Sequence, residues 1–165
     1  MSDAESIAAI YAPFVTNTSI SFEEVPPGTE EIAARIKKTT EGYPYFVAEE
    51  NNQVIAYAYA GAYRARHAYR FTAEVSVYTA PEGASRGLAA ELYRRVLSDL
   101  YEAGFHSAVA IITLPNDKSV TFHERHGFEH IGTIAQVGYK SDRWHDTGIW
   151  QYPLISDRQT RKRLR

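Results

Sequence analysis

The sequence predicts an α/β domain: one mixed sheet with helices on both faces. Three observations predict it. Two stretches of helical periodicity precede any strand, alternating strand patterns then interleave with two further helical stretches, and residues 108–113 form a continuous apolar run typical of a strand buried on both faces. The chain of 165 residues suits one domain with a substantial core. We assign residues 1–154 to that domain and residues 155–165 to a basic tail, solvated and carrying Arg158, Arg161, Lys162, Arg163 and Arg165.

Ser2 and Glu5 have capping-box spacing, and Ile7, Ile10, Tyr11 and Phe14 recur at helical intervals, which predicts a helix over 3–14. Pro26-Pro27-Gly28 is a turn, after which Thr29 is expected to cap a polar helix over 30–40 that Gly42 and Pro44 break. Residues 45–49 and 54–63 read as a hairpin about Asn51-Asn52. Residues 71–79 alternate: Phe71, Ala73, Val75 and Val77 on one face, Thr72, Glu74, Ser76 and Tyr78 on the other. A helix over 86–103 follows, with Leu88, Leu92, Val96 and Leu100 as its stripe and Gly104 as its stop. Strand 108–113, helix 117–126 and strands near 130–139 and 144–152 complete the order, with no repeat and no dividing linker.

Hydrophobic residues are 44% and charged residues 23% of the chain, a globular balance, and a net charge of -2 gives no reason to expect nucleic acid as partner. There are no cysteines, which excludes disulfides, thiolate catalysis and Cys-ligated zinc. The six histidines show no metal-ligand spacing with a carboxylate on the same face, so no metal is expected. No apolar run reaches the roughly 18 residues of a membrane span, and the first residues lack a signal-peptide pattern, which points to the cytoplasm. The 12 tyrosines suit strands that pack a ring and keep a wet hydroxyl.

Two segments carry most of the chemical signal. In residues 79–90, Gly83, Ala84, Ser85, Gly87, Ala89 and Ala90 leave the backbone bare where a helix begins, which makes either a phosphate site or a close-packed turn. In residues 114–128, Asn116 stands where a strand passes into a helix, either as an N-cap or as a cap that also touches a ligand.

The glycine-containing loop and helix, followed by a strand and the helix pattern Asn116, Ser119, Phe122-His123-Glu124, Gly127-Phe128, resemble the GNAT superfamily of acetyl-CoA-dependent N-acetyltransferases. Within it, Ala58-Tyr59-Ala60-Gly61, Arg64-Ala65-Arg66-His67-Ala68-Tyr69, Thr72-Ala73-Glu74-Val75-Ser76-Val77-Tyr78 and Gly138-Tyr139-Lys140 with Trp144-His145-Asp146 are similar to the phosphinothricin acetyltransferases and to the methionine sulfone and sulfoximine acetyltransferases. The likeness runs from about Ile7 to Leu154. It implies a GNAT fold with a mixed, mostly antiparallel sheet, a cytoplasmic homodimer, acetyl-CoA as co-substrate, and acetylation conferring herbicide or antibiotic resistance.

It also implies site residues. Backbone groups of Val77, Tyr78 and Thr79 would meet the pantetheine arm, Ser85, Arg86, Gly87, Leu88, Ala89 and Ala90 would hold the pyrophosphate, and Asn116 would touch the cofactor. Glu74 matches the general base, Arg64 the grip on the substrate's acidic end, and Val75 and Ser76 line the substrate site. His123 stands where many GNAT enzymes have a tyrosine acid. Two departures are visible: Ala84 replaces the usual Gln or Arg of the loop, and the chain begins at a helix where the family usually has a strand.

The chemistry fits these residue types. An α-amino group is mostly protonated near neutrality, so a base must free it, and a carboxylate in a partly desolvated cleft has the raised pKa that suits the task. Strand amides near Val77 would stabilise an oxyanion. His123 either donates a proton to the leaving thiolate or is structural. Arg64 and Arg66 alternate at a strand end and so share a side, where they either fork a carboxylate or phosphinate or form an exposed basic loop. Tyr139, Lys140, Trp144 and His145 either wall the pocket or pack the strands. The expected activity is direct acetyl transfer to the α-amino group of a small amino-acid analogue. The alternatives are another amine, such as a polyamine or a protein N-terminus, and a non-catalytic acetyl-CoA sensor.

Overall fold

A computed structural model describes residues 3–81 and 87–155. Helices α1 (Asp3–Thr16) and α2 (Thr29–Thr40) precede the hairpin β1 (Tyr45–Glu50) and β2 (Gln53–Ala62). After a 3₁₀ turn at His67–Tyr69 come β3 (Thr72–Thr79), α3 (Leu88–Glu102), β4 (Ser107–Leu114), α4 (Asp117–Arg125), β5 (Glu129–Lys140) and β6 (Arg143–Pro153). The six strands form one sheet in the order β1-β2-β3-β4-β6-β5, antiparallel throughout except between β3 and β4.

The two faces of the sheet are built from different residues. Ala56, Ala58, Ala60, Ala73, Ala108 and Ala110 are buried under α3, whose Leu92, Tyr93, Val96, Leu97 and Leu100 face them. Small strand residues let the helix approach closely and fill the space with its own larger side chains. On the opposite face, Tyr57, with Tyr45, Tyr59 and Tyr78 packed beside it, meets Ile7 and Ile10 of α1 and Ile32 of α2. The alternation along β3 holds: Ala73, Val75 and Val77 join the α3 side, and Tyr78 joins the other. The phenol of Tyr93 is buried without a hydrogen-bond partner among the described residues, and burial keeps it protonated.

Several boundaries differ from the sequence reading. Helix α1 continues past Pro13 to Thr16, with Asn17 N–H closing on Pro13 O at 2.9 Å. Gly28, not Thr29, is the N-cap of α2, and it makes no side-chain cap bond. β2 ends at Ala62, so Arg64 and Arg66 lie beyond the strand rather than alternating along it. β4 is buried along most of its length, yet Ile111 is 44% exposed. The reason is the path of its neighbour: β3 pairs with β4 only at Thr72–Ser107, Ala73–Ala108 and Glu74–Val109, after which the two strands part.

Candidate active site

The parted strands make the site. In an antiparallel ladder every second residue turns its N–H and C=O away from its partner. Residues 75–79 pair with β2 on one side, so on the other side such groups face a wedge instead of β4. Ile111 and Thr113 of β4, with Asn116 at the cap of α4, Ser119 and His123 along that helix and Ile20 from the α1–α2 connection, line that wedge. A second hollow shares Val77, Tyr78, Asn116 and His123 with it and extends to Thr79, Ala89, Lys118 and Phe122. A third shares Ala89, Lys118 and Phe122 and reaches Gly87, Ala90 and Arg125. Together they form a trench from the wedge to the N-termini of α3 and α4.

Both helix starts border that trench. Gly87 caps α3 in the left-handed region, at φ 76°, a conformation glycine adopts without penalty. It offers no side chain, so the first amides of Leu88, Ala89 and Ala90 have no side-chain cap among the described residues. Asn116 is the N-cap of α4, its Oδ1 accepting from Ser119 N–H at 3.2 Å, and it also lines the wedge. The two positions thus suit an elongated ligand with an anionic end at a helix dipole. Ser85 and Arg86 lie outside the described residues.

Glu74 stands at the fork, on the last residue that β3 pairs with β4. Its carboxyl is half-buried, makes no hydrogen bond to a described residue, and is pushed above the ordinary carboxylate range by that burial. Ser76, two residues on, faces the same side and engages Tyr59. Val75 does not: its side chain is buried in the core beneath α3, so a substrate on the Glu74 side would meet at most its backbone. Arg64 is exposed and lies over the rings of Tyr63 and Tyr69, 5.1 and 5.7 Å from their centroids. Arg66 opens the 3₁₀ turn, also exposed. Neither arginine pairs with a carboxylate among the described residues.

His123 is buried against Tyr93, Phe122 and Phe128. Its Nδ1 donates to Ser119 O at 2.7 Å, and a carbonyl can only accept, so the neutral ring carries its proton there. Burial lowers its pKa, and Nε2 has no partner among the described residues. The neutral ring therefore presents a lone pair, not a proton, at Nε2. Of the two readings of His123, the acid would donate from Nε2 only after first accepting a proton, and the structural one matches its packing against Tyr93, Phe122 and Phe128.

The C-terminal hairpin separates four residues that the sequence grouped. Tyr139 and Trp144 are exposed and pack on each other. His145 is buried, with Nε2 near Lys140 O at 3.1 Å. Lys140 is also buried, and its Nζ donates to Val15 O and Ser21 O, both at 2.6 Å. It moors the α1–α2 connection rather than walling a pocket. Among the described residues no group of three His, Asp or Glu is placed to hold a metal, and no helix is long and apolar enough to cross a membrane.

A strand fork whose trench ends at two helix N-termini suits an elongated ligand that carries an anion. The GNAT acetyltransferase domain family matches residues 1–149. The chain is 40% identical over 154 residues to a phosphinothricin N-acetyltransferase of Alcaligenes faecalis, covering 92% of this chain and 78% of the relative. It is 33% identical to an L-methionine sulfoximine/L-methionine sulfone acetyltransferase of Pseudomonas aeruginosa, covering 93% and 91%. The crystal structure of a phosphinothricin acetyltransferase from Sinorhizobium meliloti in complex with acetyl-CoA superposes with a TM-score of 0.87 at 39% identity, over 92% of this chain and 83% of the other. The chain belongs to the GNAT acetyltransferase family. It is an acetyl-CoA-dependent N-acetyltransferase, similar to phosphinothricin and methionine sulfoximine/sulfone acetyltransferases.

Proposed function

We propose that the enzyme acetylates the α-amino group of a small amino-acid analogue, of the phosphinothricin or methionine sulfone/sulfoximine type, by direct transfer with both substrates bound. The observation that carries this reading is the half-buried, unpartnered Glu74 at the strand fork, where an amine on one side of the sheet meets the wedge on the other. Glu74 takes the ammonium proton, directly or through a water, and frees the lone pair that attacks the thioester carbonyl. The nitrogen–carbon bond forms, the carbon–sulfur bond breaks, the sulfur leaves with the electron pair as a thiolate, and the nitrogen sheds its second proton to solvent to leave the neutral amide. Backbone N–H groups of the unpaired half of β3, near Val77, stabilise the charge on the carbonyl oxygen.

Tyr78 and Thr79 border the pantetheine path. The α3 amides from Leu88 to Ala90 hold the phosphates, with Lys118 and Arg125 along the trench supplying cations. Arg64, over the rings of Tyr63 and Tyr69, takes the acceptor's carboxylate, and Arg66 supports it electrostatically. The test is CoA release, followed with a thiol reagent, on phosphinothricin, methionine sulfone, methionine sulfoximine, spermidine and a short peptide. Turnover of an amino-acid analogue and none of spermidine is expected. Turnover confined to spermidine or the peptide would reject the acceptor.

A homodimer in the cytoplasm completes the proposal. Ile131, Ile134, Val137 and Tyr139 of edge strand β5, with Trp144 beside them, are 46–59% exposed, an apolar surface that a second copy would cover. Gel filtration should give twice the chain's 18.6 kDa. A monomer at every concentration would remove the dimer.

A further inference from the structure

The wedge between β3 and β4 has two unlike sides. Ala110 and Ile112 of β4 turn toward α3, so Ile111 between them turns to the face that carries Glu74, Ser76 and Tyr78. Asn116, Ser119 and His123 line the wedge from α4, whose Val120 and Phe122 pack on the α3 side of the sheet. The α3 side is therefore polar at the wedge, and Ile111 and Ile20 supply apolar side chains to its lining. Ile111 is 44% and Ile20 39% exposed, so both offer uncovered apolar surface to a group that enters.

The trench also tapers toward the fork. Its three hollows hold about 600, 260 and 70 Å³ in order from the helix starts to the wedge. A carrier whose phosphates sit at the start of α3 thus sends its far end into the narrowest part. That end cannot advance along the sheet, because the ladder closes at the Glu74–Val109 pair. Extra carbon atoms have to leave the wedge sideways, and on the Glu74 face they meet Ile111 and Ile20.

We propose that Ile111, together with Ile20, sets the length of the acyl group that this enzyme transfers. Acetyl fits between the fork and the two side chains, and each added methylene collides with Ile111. The inference rests on the reading in which the thioester carbonyl meets β3 amides near Val77 and its acyl group points to the fork.

The test measures kcat/KM for acetyl-, propionyl- and butyryl-CoA in wild type, Ile111→Val, Ile111→Ala and Ile111→Trp, with the best acceptor of the panel above. Because the acceptor is the same throughout, the ratio between donors cancels changes in acceptor binding. Wild type should use propionyl-CoA about tenfold less well than acetyl-CoA, and butyryl-CoA less well again. The butyryl-to-acetyl ratio should rise about tenfold or more in Ile111→Ala and less in Ile111→Val. Valine stays β-branched and suits a strand, which keeps the test open should alanine impair folding. Equal use of the three donors by wild type, or a ratio that neither small variant changes, overturns the proposal.

Ile111→Trp separates that failure from a failure of the underlying reading. A bulky ring in the wedge should lower acetyl transfer about tenfold or more, while calorimetric binding of CoA, which lacks the acyl group, changes far less. Blocked transfer with unchanged donor ratios in the small variants keeps the acyl group in the wedge and rejects Ile111 as its limit. Transfer by Ile111→Trp as fast as wild type removes the acyl group from the wedge and the proposal with it.

Discussion

Replacing Glu74 with Gln should lower kcat/KM for the preferred acceptor by about 10²–10⁴-fold while leaving acetyl-CoA affinity nearly unchanged. The amide has the same shape and keeps a polar group at the fork, but it cannot take the ammonium proton. Wild-type activity should rise with pH as Glu74 ionises, and burial places that rise above the ordinary carboxylate range. In Glu74→Gln this rise disappears and only the ionisation of the acceptor amine remains. A variant within twofold of wild type across that pH range would remove Glu74 from the mechanism.

The same group predicts an opposite effect on stability. A carboxyl with a raised folded pKa binds its proton more tightly in the native state than in the unfolded one. The stability it contributes is fully present below the unfolded pKa and is lost as pH rises through the folded pKa. At neutral pH the ionised Glu74 therefore weakens the fold, and the Gln variant should resist urea better there than wild type. The gap should close as the pH falls below the carboxylate range. A base that costs stability where it is active follows from placing a carboxyl at the fork without a hydrogen-bond partner.

Much of this was legible in the sequence because it rests on local periodicity. The alternation of residues 72–79 put Glu74, Ser76 and Tyr78 on one face, and the Leu92, Val96 and Leu100 stripe fixed which side of α3 is buried. Asn116 was recognisable because a cap announces itself at a helix start. The fork was not legible, since neither β3 nor β4 contains a residue that says where the two part. Its one trace is Ile111, an apolar residue left 44% exposed in a strand that otherwise reads as buried.

The hollow on the Glu74 side of the sheet was equally hidden. Tyr57 and Tyr59 share a parity that alternation could have shown, but Tyr11, Glu23 and Arg35 converge on it from two helices and the loop between them. The placement of the arginines was hidden for a similar reason. Arg64 and Arg66 continue the alternation of β2 in sequence, but the strand stops at Ala62 and the chain turns. The sequence leaves Lys140 open between pocket wall and strand packing, because only the fold reveals that its partners are carbonyls 125 and 119 positions away.

Replacing Lys140 with Met should destabilise the protein by about 2–3 kcal/mol, the cost of orphaning two buried carbonyls after losing hydrogen bonds from a charged donor. Burial already pushes the Lys140 ammonium below its ordinary pKa, and Glu23 and Glu24 oppose that shift, so relief from burying the charge offsets part of the loss. Methionine fills most of the volume, which keeps cavity formation out of the comparison. The midpoint of urea unfolding should fall while the slope stays constant. The damage should be local. Lys140 holds the end of α1 and the connection through Ser21, and beside it the Phe22 ring fills the space that a side chain at Gly138 would need. Hydrogen exchange should therefore quicken across residues 16–23 before the rest of the sheet responds. Ile20 lines the wedge and Glu23 lines the hollow on the Glu74 side, so the loosened connection should raise the acceptor KM more than it lowers kcat. Unchanged exchange at residues 16–23 would show that water satisfies those carbonyls as well as the lysine does.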